Sequence, residues 1–259
     1  MSILREIILN KRKEIDFFKK NNPISEIEKS LFFDREVISL KKSLIEKSGI
    51  ISEFKRKSPS KPNINLDAEV LTITRGYEIS NSSGLSILTD SKYFGGSNED
   101  ITLVRDEINI PILRKDFILD EFQIVESKSL GADVILLIAS VLSKQEIFKL
   151  SKLANELHLE VLAEIHNENE LEKVMNPYID LIGVNNRDLK IFKTDINISK
   201  KISKKIPSDF LKISESGIDN YNTVKDLRKY GFNGFLIGEY FMKTINPINE
   251  SINRNVFKK

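Results

Sequence analysis

From residue 49 onward, short stretches rich in Ile, Leu and Val alternate with longer segments whose apolar positions recur every three to four residues. The short stretches predict strands at 50–54, 85–89, 111–115, 134–138, 160–165, 181–185, 211–214 and 234–237. The helical period predicts helices at 66–79, 121–130, 144–157, 168–175 and 222–230, with Asp219 and Asn220 ahead of the last as candidate N-caps. Strands that alternate with helices pair in parallel through βαβ units, and eight such units close into a (β/α)8 TIM barrel. No Gly/Ser linker or shift of composition interrupts the run, so 49–259 is expected to be one catalytic domain.

Residues 1–48 precede the first strand. Ile3, Ile7, Ile8, Ile15 and Phe18 fall near a 3.6-residue period, which predicts an amphipathic helix ended at Asn22-Pro23. A second helix is expected within 36–47. Together they read as an N-terminal helical extension of the same domain, with an apolar stripe to bury on the barrel. The basic run Lys11-Arg12-Lys13 reads as a solvated helix face.

Composition narrows the partners. Forty Lys+Arg against 38 Asp+Glu leave a formal charge of +2, which gives no global field for nucleic acid. The absence of cysteine excludes disulfides, thiol catalysis and thiolate metal sites, and fits a reducing cytoplasm. Arg5 and Glu6 interrupt the first apolar stretch, against a signal peptide, and the longest apolar run, 134–139, is far short of the ~20 residues a membrane span needs. His158 and His166 lack paired-ligand spacing, and no cofactor motif appears, so neither metal nor cofactor is expected.

The candidate chemistry sits where strands end. In barrels of this kind the site forms at the carboxyl ends of several strands. Side chains on a strand alternate faces, so Ile51, Glu53 and Lys55 share one face, as do Lys115 and Phe117. Glu164 ends the fifth strand, Asn185-Asn186-Arg187 the sixth, Ser214-Glu215-Ser216-Gly217 the seventh and Ile237-Gly238-Glu239 the eighth. Each alone reads as a rim charge worth under ~1 kcal/mol. Their recurrence on strand after strand reads as a built polar site. Gly217 and Gly238, just before helical segments, suit backbone N–H groups approaching an anion, with Lys55 and Arg187 as fixed cations. That arrangement suits a small phosphorylated substrate, while either glycine reads equally well as a turn residue.

These residues carry a resemblance to the indole-3-glycerol phosphate synthase family. It spans about residues 48–243 through Ile51-Ser-Glu-Phe-Lys-Arg-Lys-Ser-Pro-Ser-Lys61, Leu88-Thr-Asp90 with Tyr93-Phe-Gly-Gly-Ser97, and Leu113-Arg-Lys-Asp-Phe117. It continues through Gly131-Ala-Asp-Val-Ile-Leu-Leu-Ile138, Leu162-Ala-Glu-Ile-His166, Gly183-Val-Asn-Asn-Arg-Asp-Leu189, Ser214-Glu-Ser-Gly-Ile218 and Leu236-Ile-Gly-Glu239. The resemblance implies ring closure, decarboxylation and dehydration of 1-(2-carboxyphenylamino)-1-deoxyribulose 5-phosphate, a step of tryptophan biosynthesis.

By the same resemblance, Lys115 is the general acid and Glu164 the general base. Lys55 binds the substrate carboxylate and competes with Lys115 for the acid role in dehydration. Glu53 positions Lys55, and Asn185 hydrogen-bonds the reacting centre. Phe94, Phe117, Leu136 and Leu189 form an apolar slot for the anthranilate ring, though Leu136 reads equally as barrel core. Ser58, Arg187, Ser216, Gly217, Gly238 and the backbone N–H of Glu239 take the phosphate, and Glu215 touches the sugar hydroxyls. A lysine acid works best with its pKa lowered toward neutrality, which Arg114 or Lys55 as neighbouring cations would achieve. Pro62 replaces the family's usual glycine and stiffens its loop; Asn81, which tolerates left-handed backbone, replaces a helix-ending glycine. The expected state is a monomer or a weak dimer. The alternatives are another phosphate-binding barrel, phosphoribosylanthranilate isomerase, which lacks the 55–60 segment and the Arg-Lys-Asp-Phe strand end, or a non-catalytic phosphometabolite binder, which has no use for Lys115 and Glu164.

Overall fold

The chain is described by a computed structural model over residues 3–188 and 193–243. Eight parallel strands pair in chain order and the last returns to the first, closing a barrel. The strands are β1 (Ile50–Phe54), β2 (Gly84–Leu88), β3 (Ile112–Lys115), β4 (Val134–Ile138), β5 (Glu160–Ile165), β6 (Leu181–Asn185), β7 (Leu211–Glu215) and β8 (Phe232–Ile237). Each differs from the sequence expectation by two residues or fewer at either end.

Period-two alternation divides the apolar residues into two layers. Ile51, Leu113, Leu136, Leu162, Leu181, Ile213 and Leu236 point inward and fill the barrel. Ile50, Phe54, Ile112, Ile135, Val161, Ile182 and Phe235 point outward under the helices. The helices between the strands include α4 (Val70–Ile79), α7 (Glu121–Leu130), α8 (Lys144–Glu156), α9 (Glu168–Val174) and α11 (Tyr221–Arg228), as the periodicity predicts. Asn220 caps α11 by accepting from the Thr223 N–H at 2.9 Å. Asn81 ends the turn after α4 at φ 63, the left-handed conformation that asparagine tolerates.

Among the described residues, the short helices that periodicity misses include α2 (Ile24–Ile27), α5 (Ser91–Phe94), α6 (Asn98–Arg105) and α10 (Asn197–Ser203). These depend on local capping and tertiary contact more than on an apolar stripe. α6 starts at a reciprocal Ser97–Asp100 capping box, and Asp90 caps α5 through the Tyr93 N–H at 2.8 Å. After β8 comes a single turn, α12 (Glu239–Met242).

The extension packs at both ends of the barrel. α3 (Leu40–Glu46) closes the amino-terminal end, where Leu40 and Leu44 join the inner core. It is fixed by Glu160 at the start of β5, which accepts from the Leu40 and Lys41 N–H groups at 2.8 and 3.1 Å. α1 (Ile3–Asn21) lies at the other end, and its Ile3, Leu4 and Ile7 face the cavity at the strands' carboxyl ends. One expectation fails here. Lys11 is not on a solvated face; it is 5% exposed and buried against two aspartates of the barrel.

Candidate active site

A cavity of about 370 Å³ opens at the carboxyl ends of the strands. It is lined by Glu53, Lys55, Ser58, Phe94, Lys115, Phe117, Leu136 and Glu164, and further round by Asn185, Arg187, Glu215, Ser216, Gly217, Gly238 and Glu239. Leu189, the remaining site residue expected from sequence, lies outside the described residues.

Lys115 stands at the centre. Its ammonium donates to Glu164 at 3.2 Å and to Glu215 at 2.9 Å. Burial pushes its pKa down, but the carboxylates of Glu215, Glu164 and Glu53 outweigh burial and hold it above the ordinary lysine value. The expected lowering by neighbouring cations is therefore overturned. Arg114 cannot supply it, because adjacent strand residues face opposite ways. Its guanidinium points outward and donates to the Ser127 hydroxyl at 3.0 Å and to Glu126 at 2.6 Å. Lys55 donates to Glu53 at 2.5 Å, so its charge is already matched.

The carboxylates around Lys115 have different environments. Burial raises Glu164, but Lys115 and then His166 reverse this and hold it below the usual carboxylate value, with the Asn185 side chain also bonding to it. His166 Nε2 lies 3.4 Å from Glu164, and its other ring nitrogen lies 3.4 Å from Glu170. Glu215 goes the other way, pushed up to about 7 by burial and, despite Lys115, by the charge of Glu164. Its Oε1 has no hydrogen-bond partner among the described residues. Two glycines make room for these groups: a Cβ at Gly183 would strike the Glu215 carboxylate, and one at Gly238 would strike Glu53. In the sequence Gly183 stands only as the start of the 183–189 motif, although a glycine in a strand interior signals such a close approach.

Glu215 also makes stability depend on pH. The folded protein keeps this proton up to about pH 7, against an ordinary value of 4.5. Between those values the native state binds more protons than the unfolded state, so stability falls as pH rises through that window. Glu215→Gln should flatten this part of the dependence of Tm on pH. An unchanged slope contradicts the assignment.

The apolar wall is built by Phe94, at the end of α5, and Phe117, just beyond β3. Their ring centroids are 6.1 Å apart and the planes are tilted by 43°. Leu136 is both things at once, a member of the inner core and part of the cavity floor. Ile3, Leu4 and Ile7 complete the apolar side from α1. The sequence displays this stripe but not its location.

The opposite side suits an anion. Ser216 and Gly217 adopt φ of 67 and 74, turning the loop after β7 over the cavity. Gly217 lies four residues before α11, so no helix N-terminus points from it; only Gly238 directly precedes a helix, the short α12. Asn186, back to back with Asn185, donates to the Glu215 and Ser216 carbonyls at 3.0 and 3.1 Å and so fixes the β7 loop. Arg187 donates to the Ser60 hydroxyl at 2.9 Å and to the Glu239 carboxylate at 3.2 Å. Lys61 reaches the other Glu239 oxygen at 2.5 Å. Glu239 thus engages the site's cation with its side chain, a contact the sequence did not suggest. Among the described residues, no group of three or more His, Asp or Glu side chains is arranged to hold a metal ion.

The sequence and the fold are also similar to those of known proteins. The family model described as indole-3-glycerol phosphate synthase matches residues 4–253. A Bacteroides thetaiotaomicron protein of that name is 47% identical over 246 residues, covering 95% of this chain and 94% of its own. One from Prochlorococcus marinus (strain MIT 9515) is 42% identical, covering 93% and 85%. Among solved structures, 3-hexulose-6-phosphate synthase from Salmonella typhimurium superposes with a TM-score of 0.62 at 13% identity, over 78% of this chain and 94% of that one. The tryptophan synthase complex of Pyrococcus furiosus contains a chain that superposes at 0.59 with 14% identity, over 81% and 96%. At such identities the last two speak for the fold alone.

Proposed function

This chain belongs to the indole-3-glycerol phosphate synthase family, and from that premise we propose how the residues at the barrel mouth divide the reaction. The activity is the conversion of 1-(2-carboxyphenylamino)-1-deoxyribulose 5-phosphate to indole-3-glycerol phosphate, a decarboxylating lyase step of tryptophan biosynthesis. The observation that carries the residue assignment is the cation at the centre of the site. Lys115 lies between two buried carboxylates, within a cavity that has an aromatic wall on one side and Arg187 on the other.

The anthranilate ring lies against Phe94, Phe117 and Leu136, while its carboxylate meets Lys55, held in turn by Glu53. The phosphate exchanges with the Glu239 carboxylate at Arg187 and takes the Ser58 hydroxyl and the backbone at Ser216, Gly217, Gly238 and Glu239. With both ends fixed, the ring carbon bearing the carboxylate faces the ribulose carbonyl. As that carbon attacks, Lys115 passes a proton to the carbonyl oxygen, which becomes a hydroxyl. The C–CO₂ bond then breaks, its electron pair returns to the ring, and CO₂ leaves. Dehydration follows: the hydroxyl takes a second proton from Lys115 or Lys55 and departs as water, and Glu164 removes the proton from the carbon beside nitrogen. Two protons are given and one is taken back, so each turnover draws one from solvent.

A carboxylate held below its ordinary pKa is a weak base, but it remains ionised and ready at neutral pH. Asn185 keeps it in place, and Glu215 receives the sugar hydroxyls with its unpartnered oxygen. Because Lys115 is held above its ordinary value, the pH profile of kcat/KM should show no alkaline limb from this group below about pH 10. A limb near pH 8 that disappears in Lys115→Arg contradicts that. Arg187→Ala should raise KM about 10- to 100-fold, as expected for loss of a hydrogen-bonded charge on phosphate. Its kcat should change little; a loss confined to kcat contradicts the phosphate assignment.

Among the described residues no helix is long and apolar enough to cross a membrane. We place the protein in the cytoplasm, as a single domain that includes residues 1–48, working as a monomer or weak dimer on a small phosphorylated substrate without nucleic acid. Light scattering across a concentration series tests the oligomeric state.

A further inference from the structure

Lys11 is a charged residue that the reaction as described does not use, yet it is almost entirely buried. Its ammonium lies 3.0 Å from Asp90, 3.0 Å from Asp116 and 2.8 Å from Glu14. Burial pushes its pKa down, but Asp116, Asp90 and Glu14 more than compensate and keep it charged. A buried ion cluster is a poor source of net stability, since apolar residues of similar size do as well. Its value is geometric.

The two aspartates are not equivalent surface acids. Asp90 caps α5, the turn that ends in Phe94, through the Tyr93 N–H at 2.8 Å. Asp116 follows Lys115 directly, and it accepts from the Phe117 N–H at 2.7 Å and the Thr89 hydroxyl at 2.6 Å. Each therefore fixes the backbone of one of the two facing aromatic rings. The third element on the same ammonium is α1, whose Ile3, Leu4 and Ile7 line the apolar side of the cavity one to two turns before Lys11.

We propose that Lys11 is a positioning residue for ring recognition, a single ammonium that locks α1, the Phe94 turn and the Phe117 loop into one apolar slot. The inference rests on the reading of Phe94 and Phe117 as the anthranilate slot. It predicts a loss selective for the ring. Lys115 is held separately by Glu164 and Glu215 inside the barrel, and the anion-binding side is built from loops that Lys11 does not touch.

Binding of two probes separates the possibilities: an unreactive substrate analogue with the ribulose carbonyl reduced to an alcohol, which keeps the ring, and ribulose 5-phosphate, which lacks it. Lys11→Met and Lys11→Gln should each weaken the ring-bearing analogue about tenfold or more, the scale expected when a contact is misplaced by a fraction of an ångström to an ångström. Ribulose 5-phosphate affinity should stay within about twofold, and KM should rise far more than kcat falls. Asp116→Asn approaches the same bridge from the barrel side and should show the same selectivity, including where a Lys11 variant does not fold. Arg35→Met, which breaks an ion pair to Asp133 at the opposite end of the barrel, controls for lost stability and should leave both affinities unchanged. Equal weakening of both probes, or of neither, in the Lys11 and Asp116 variants overturns the inference. Phe94→Ala and Phe117→Ala test the premise. If they lose ring affinity while the Lys11 variants do not, the slot stands and the role of Lys11 falls. If they too leave ring affinity unchanged, the slot reading itself fails and the inference falls with it.

Discussion

Lys115→Ala should lower kcat by about two to four orders of magnitude, the range associated with removal of a positioned acid. KM should move much less, because the ring slot and the phosphate side remain in place. The same change should reverse part of the protein's electrostatics. Without the ammonium, Glu164 and Glu215 face one another in a buried site, 3% and 1% exposed. Two such carboxylates cannot both stay ionised, so one proton is retained to higher pH than in the parent protein. Native-state proton uptake of this kind makes stability fall as pH rises above the ordinary carboxylate value. Lys115→Ala should therefore steepen the fall of Tm between pH 5 and 8, while Lys115→Arg, which keeps a cation, should not. Near-normal kcat in the alanine variant contradicts the acid assignment. A flat Tm profile contradicts the electrostatic account alone.

Glu164→Gln should produce a comparable loss of kcat, about 10²- to 10⁴-fold, with a different signature. The amide keeps an acceptor for Lys115 at 3.2 Å but cannot take a proton. Ring closure and CO₂ loss need the acid; only the closing dehydration needs this base. The variant should therefore accumulate a ring-closed species lighter than the substrate by CO₂ and still carrying the hydroxyl, visible by quenching and mass spectrometry in a single turnover. A variant that stalls with substrate intact places Glu164 earlier in the sequence. Removing its charge should also let Glu215 fall from about 7 toward the ordinary carboxylate value, since Glu164 is one of the groups that raise it.

What the sequence conveyed depended on which physical signal each feature carries. Strands such as 134–138 and 160–165 agree to the residue because buried parallel strands are short apolar runs with sharp ends. Alternation placed Glu53 with Lys55, and Lys115 with Phe117, on the cavity side; the site residues the family resemblance named, Leu189 apart, line the cavity, together with others such as Ile3, Ile7 and Ser60 that it did not name. Arg114 illustrates the reverse error. It adjoins Lys115 in sequence, whereas the same alternation sends it to the outer face.

Lys11 departs from its sequence expectation for another reason. A basic run on an amphipathic helix is usually solvated, and nothing local announces that Asp90 and Asp116 wait some 80 and 105 positions further along the chain. The location of α1 was illegible on the same ground: a stripe of isoleucines states that something must be covered, not what. The engagement of Arg187 by Glu239 depends on two loops meeting across the barrel mouth, which no periodicity encodes.

The central claim is that this site closes the indole ring with Lys115 as its acid. The chain has no tryptophan, so product indole can be followed by fluorescence over a low protein background. The direct measurement mixes the protein with 1-(2-carboxyphenylamino)-1-deoxyribulose 5-phosphate and compares it with Lys115→Ala under the same conditions. The account predicts a steady rise of indole fluorescence for the parent protein and a rate at least about a hundredfold lower for the variant. No indole from the parent protein, or equal rates from both, would contradict it.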